Sequence, residues 1–183
     1  MDLFLQLWLP VLATTFALWI ASTLAWTVIG HHNRDTDPLP NEDQALDAIR
    51  SLNIPPGSYM FPQITHGQAN AADCKAKWEK GPIGLLRVFR PINMPLNIIC
   101  TVIFFLIMST LLAYLGSAAL ARGATFAQVL QVMGTAGVLT YSFSSIPHDI
   151  WFQTKKRQTL TCAIDGIAFG LITGLIFAWL WPR

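Results

Sequence analysis

Four long apolar stretches and one polar interval organise this chain. A helix that crosses a bilayer needs about 20 mostly apolar residues, because each adds about 1.5 Å against a hydrocarbon core of about 30 Å. Residues 3–29 meet that need: Gln6, Thr14, Thr15, Ser22, Thr23 and Thr27 are polar, and none is charged. Residues 95–120 are also free of charge. Residues 126–151 are more mixed, with Gln128, Gln131, several Ser and Thr, and His148-Asp149 near the end. Residues 159–181 carry a single charge, Asp165. The pattern predicts an all-α membrane protein, a four-transmembrane-helix bundle. The polar residues 30–93 form a small insert between helices 1 and 2. The first stretch has no basic n-region and an apolar run too long for a signal peptide, so it is expected to stay as a span.

The insert differs in kind from what flanks it. It holds seven of the eleven prolines and most of the formal charges. A helix is expected from Asn41 to Leu52, with Asn41 as its cap, Glu42 and Asp43 in its first turn, and Leu46, Ile49 and Leu52 on one face. Pro55-Pro56-Gly57 ends it. Short extended segments are expected at Ser58–Phe61 and Leu85–Phe89, and a second short helix around Trp78, between Ala69 and Lys80.

Composition sharpens the class. Apolar residues make up 53% of the 183 residues and charged residues 12%, about half the usual globular share of roughly 25%. Net charge is +2. Disorder is excluded, as is a strong basic field for nucleic acid. Cys74, Cys100 and Cys162 are too few for a disulfide framework. Charge also orients the chain. The insert and residues 152–158 together carry ten Lys and Arg, including Lys155-Lys156-Arg157, whereas the opposite face carries Arg122 and Arg183. The positive-inside rule then puts residues 30–93 and 152–158 in the cytoplasm and both termini outside, in a bacterial inner membrane. Trp8, Trp179 and Trp181 are expected near the outer interface and Trp26 and Trp151 near the inner one.

Lipid tails are as apolar as leucine, so spans associate by close packing over small residues. Gly166, Gly170, Gly174 and Ala178 recur at four-residue intervals, as do Ala13, Ala17, Ala21 and Ala25. These ridges are expected to be helix-packing seams.

An ionisable residue inside a span is costly and is a functional candidate by default. Asp165, Asp149 and His148 form the expected polar intramembrane cluster, all near the inner end of their helices, with Pro147 able to break the third span. His31 and His32 leave the first span at the same level. Imidazole and carboxylate suit Zn, Fe or Mn, so His31, His32 and His148 are candidate metal ligands. Against this, the chain has no HxxxH, HExxH or CxxC spacing, and no GxSxG, P-loop or GxGxxG. No catalytic residue is assigned and no cofactor is expected.

A set of motifs carries a resemblance. Pro56-Gly57-Ser58-Tyr59-Met60-Phe61-Pro62, Lys80-Gly81-Pro82-Ile83-Gly84, Asn93-Met94, Ile150-Trp151 before a basic loop, then Thr159, Thr161, Asp165-Gly166 and Phe177-Ala178-Trp179-Leu180-Trp181-Pro182 resemble a family of uncharacterised bacterial four-span inner-membrane proteins. The resemblance implies the fold and the membrane address and brings no activity. This chain has Ala168-Phe169 where the family pattern has Tyr-Ala.

The first functional expectation is a non-enzymatic membrane scaffold or accessory subunit. Its partners would be the lipid bilayer and another membrane protein or a second copy, with no nucleic acid. The alternatives are a small transporter or ion pathway through Asp165, Asp149 and His148, and a membrane-bound metal protein or enzyme at the cytoplasmic interface.

Overall fold

The computed structural model describes residues 3–63 and 72–183. The chain forms two units, one from residues 3–37 and 94–183 and the other Pro38–Asn93. The first unit contains four helices long and apolar enough to cross a membrane: Trp8–Ile29, Met94–Ala119, Phe126–Trp151 and Lys156–Trp179.

The first candidate span opens with a short helix α1 (Leu3–Gln6) and continues as α2 (Trp8–Leu24). It ends in a π-helical turn, Ala25–Ile29. Thr23 and Thr27 return their hydroxyls to Trp19 O and Thr23 O at 2.8 and 2.6 Å. Such back-bonding distorts helices, and π-turns ride on such distortions. Gly30, at φ 65°, then stops the helix in the left-handed conformation that glycine takes without strain. A 3₁₀ turn, His31–Arg34, follows at once.

Helix α5 (Met94–Ala119) is continuous. Helix α6 (Phe126–Ser142) starts with a capping box: the Thr125 hydroxyl accepts from Gln128 N, and Thr125 N donates to Gln128 Oε1 at 2.9 Å. The third candidate span breaks after Ser142 and resumes as α7 (Ile146–Trp151), with Pro147 in its first turn. Proline lacks the backbone donor a continuous helix would use there. Helix α8 (Lys156–Trp179) is unbroken.

The helices close a ring in the order α2, α5, α6, α8. Helix α6 packs along α8 most extensively, and the glycine ridge is the reason. A Cβ on Gly174 would lie 2.7 Å from Gly134 Cα, and one on Gly137 would lie 2.9 Å from Gly170 Cα. Gly166 abuts the backbone of Tyr141 and Ser142, and Gly170 that of Val138. The seam therefore joins two helices of one chain, with Ala178 buried towards the C-terminal end of α8. The alanine ridge plays a lesser part: Ala13, Ala17 and Ala21 are half-buried and Ala25 buried, beside a fully buried stripe of Leu7, Thr14 and Leu18.

A small apolar core (Leu7, Val11, Leu112, Ala113, Val129, Met133, Phe177 and Trp181) lies towards the chain-terminal end of the ring. Trp181 is buried rather than displayed, because its indole N–H donates to Ala121 O at 3.0 Å. Outward-facing positions are large and apolar, among them Phe16, Leu111, Leu139, Leu160 and Leu175.

The second unit contains α3 (Glu42–Ser51), β1 (Gly57–Phe61), α4 (Ala72–Lys80) and β2 (Gly84–Val88). The strands pair antiparallel with Tyr59 opposite Leu86. The expected α3 is present, but Asn41 adopts φ 51° and its side chain makes no cap hydrogen bond. The expected helix around Trp78 is α4; Ala69, at the start of the expected interval, lies outside the described residues.

Candidate functional site

Gly30 turns the chain so that two adjacent imidazoles meet one carboxylate. His31 Nε2 lies 2.9 Å from Asp165 Oδ1, and His32 Nε2 lies 2.8 Å from Asp165 Oδ2. On its other side His32 Nδ1 lies 2.6 Å from Asp35 Oδ2. His32 and Asp35 are both buried, at 6% and 5% exposure.

Helix α8 supplies the rest from one stripe. Arg157, Thr161 and Asp165 recur every four residues and so share a face. Thr161 Oγ1 donates to Asp35 Oδ2 at 2.6 Å. Arg157 Nε stands 3.6 Å from Asp35 Oδ1, and its Nη2 donates to His31 O at 2.9 Å. Lys155 donates to Arg34 O and to Asp37 Oδ1, at 2.9 and 2.7 Å. Segment 31–37 is thereby fastened along the start of α8. Trp26 completes the setting: its ring stacks on His32 at 3.9 Å, nearly parallel.

The protonation pattern follows from the partners. Carboxylates only accept, so a His32 with a carboxylate at each nitrogen donates from both, as imidazolium. Burial alone lowers its pKa, but the hydrogen bonds and charges of Asp165 and Asp35 outweigh that and hold it above the usual histidine value. Burial likewise pushes Asp35 up, and the hydrogen bonds from Thr161 and His32 with the charges of His32 and Arg157 bring it below the usual carboxylate value. Buried charges persist only when matched in this way.

The same atoms suit a metal once each Nε2 has given up its proton, since a protonated ring nitrogen has no lone pair to offer. Nε2 of His31, Nε2 of His32 and a carboxylate oxygen of Asp165 lie within 4.8 Å of one another. Ligands at about 2.0–2.2 Å from one tetrahedral ion stand about 3.4 Å apart, so small side-chain shifts seat an ion among them. Two histidines and one carboxylate leave coordination positions open. The Asp35–His32 bond supplies the outer carboxylate that orients metal-binding imidazoles. His31 has no such support, since its buried Nδ1 is without a hydrogen-bond partner.

Of the sequence-derived candidates, Asp165, His31 and His32 come together. His148 and Asp149 form a separate set on α7. His148 Nδ1 lies 3.8 Å from Asp149 Oδ1, and Thr159 Oγ1 donates to Asp149 Oδ2 at 2.9 Å. Sequence reasoning missed Asp35, Thr161, Arg157 and Trp26 as site residues. Two signals were present: the i, i+3 spacing of His32 and Asp35, and the four-residue spacing of Arg157, Thr161 and Asp165.

No family model matches the chain, and no curated protein or solved structure matches it.

Proposed function

We propose that this chain is a multi-pass protein of a bacterial inner membrane that binds a divalent transition metal through His31, His32 and Asp165. The observation that carries the reading is the convergence of both Nε2 atoms on the two oxygens of Asp165, with Asp35 behind His32. The ten-to-two bias in Lys and Arg supports an arrangement with both termini outside and residues 30–93 and 152–158 in the cytoplasm. The centre then lies at the cytoplasmic end of the bundle. A bound zinc, iron or manganese ion would supply Lewis-acid chemistry at its open positions. The accessory-subunit expectation drew on packing seams without recognisable chemistry, with the glycine ridge and the insert as surfaces for a partner. The ridge packs on α6 of the same chain, and the present reading rests on the His31–His32–Asp165 site.

Elemental analysis of the full chain, purified in mild detergent without chelators, tests it. Stoichiometric zinc, iron or manganese is expected, and loss in both His31→Ala and Asp165→Asn while the proteins still elute as folded species. Metal-free wild type that stays metal-free after incubation with each ion would overturn the proposal.

A further inference from the structure

Two arginines stand at one end of the β1–β2 sheet. Ser58 pairs with Arg87 in register, so both side chains leave the same face of the sheet. Arg90 follows two residues after β2 ends. With Pro56, Val88 and Phe89 these three residues line a cleft of about 360 Å³. That size falls within the range of small-ligand sites, about 300–1,000 Å³. Arg50 meets Asp47 at 2.6 Å, and Lys155 meets Asp37 at 2.7 Å. By contrast, among the described residues neither Arg87 nor Arg90 meets a carboxylate. The adjoining chain offers none, since no acid stands between Glu79 and Asp149 in the sequence.

We propose that this cleft holds the phosphate of an anionic phospholipid headgroup, between the guanidinium groups of Arg87 and Arg90 and the hydroxyl of Ser58. A guanidinium presents a planar fork of N–H donors that matches phosphate oxygens, and a hydroxyl adds one donor more. Two observations make the membrane the source rather than dissolved phosphate. Phe89, between the two arginines in sequence, is 80% exposed, and Ile92 and Met94 follow at 70% and 62%. These apolar side chains gain from a lipid interface and nothing from a dissolved ion. Chain length is the second. Helix α5 has 26 residues, about 39 Å against a hydrocarbon core of about 30 Å, so a spanning α5 leaves its ends at headgroup level. Arg90 stands four residues before Met94, a reach of at most about 14 Å. The site depends on the membrane address proposed above and is independent of the metal.

Solid-state NMR of the full chain, labelled with ¹³C at arginine Cζ and dephased by lipid ³¹P, tests this in phosphate-free buffer. The bilayers are phosphatidylcholine, with and without a minor share of phosphatidylglycerol. The Arg87 and Arg90 signals are assigned by their loss in Arg87→Gln and Arg90→Gln. Both side chains are exposed, so neither substitution threatens the fold. Both signals should be dephased several-fold more with phosphatidylglycerol present, whereas Arg50, held by Asp47, should not respond. The Arg90 effect should fall several-fold in Arg87→Gln, because the two guanidinium groups share one phosphate. Arg87 and Arg90 signals that ignore phosphatidylglycerol, in a chain that floats with the vesicles, would overturn this site alone. Dephasing that appears only on adding inorganic phosphate would also overturn it, in favour of a free-anion site. A chain that does not float with the vesicles would overturn the membrane address and this site with it.

Discussion

His32 Nε2 sits 2.8 Å from Asp165 Oδ2, a contact between residues 133 positions apart that ties the end of the first candidate span to the last. Asp35 holds the other face of the same imidazole at 2.6 Å. If His32 is a metal ligand, Asp35 acts through it by fixing its tautomer and ring plane. Asp35→Asn should weaken metal affinity about ten- to a hundredfold while leaving some binding. Asp165→Asn removes a ligand and should abolish it. Competition titrations with a chromophoric chelator read both; equal affinities for wild type and Asp35→Asn would remove Asp35 from the site.

In metal-stripped protein the same contacts make stability depend on pH. His32 has a raised folded pKa, so its contribution is complete below 6.5 and disappears as pH rises through that raised value. Asp35 has a lowered folded pKa, so its contribution is complete above 3.8 and disappears as pH falls through that lowered value. The melting temperature of the metal-free chain should therefore be greatest between these two limits. His32→Gln should flatten the alkaline limb. An alkaline limb that survives the substitution would assign it to another group.

Glycine at the α6–α8 seam is required by distance. A Cβ at Gly174 would stand 2.7 Å from Gly134 Cα, and backbone cannot yield as a flexible side chain does. Gly174→Ala should cost about 1–3 kcal/mol, the usual range for overpacking. Gly123, whose added Cβ would meet nothing within 4 Å, differs in kind: its φ of +74° makes Gly123→Ala a backbone test without a packing clash. Reversible unfolding in mixed micelles measures both. Wild-type stability for Gly174→Ala would mean that the helices stand further apart.

The arrangement across the membrane is testable through Cys74. With Cys100 and Cys162 replaced by alanine, an impermeant maleimide applied to intact cells should leave Cys74 unlabelled, and permeabilised cells should label it. Labelling from outside would invert the arrangement and move the metal centre to the other face.

The parts legible in the sequence are those set by local chemistry. The candidate spans appear as long apolar runs with few or no charges because a helix in hydrocarbon tolerates little else. Pro147 marks the break before α7, and the glycine ridge marks a seam although it does not name the partner helix. Asn41 misleads: its residue type suits a cap, but at φ 51° its side chain makes no cap hydrogen bond. The site was half legible. Asp165, His31 and His32 stand out as ionisable groups at span ends. Asp35 does not, because an acid between Arg34 and Asp37 reads as solvated loop, and only folding slides it beneath Thr161 and against His32. His148 and Asp149 show the converse. Closeness in depth does not ensure a shared hydrogen-bond set, since α7 directs Asp149 to Thr159.

X-ray absorption spectroscopy of the metal-loaded full chain tests the central claim most directly. The account predicts a first shell of nitrogen and oxygen at about 2.0–2.2 Å containing two imidazoles, reduced to one in His31→Ala. A shell of oxygen alone, unchanged by His31→Ala, would contradict it.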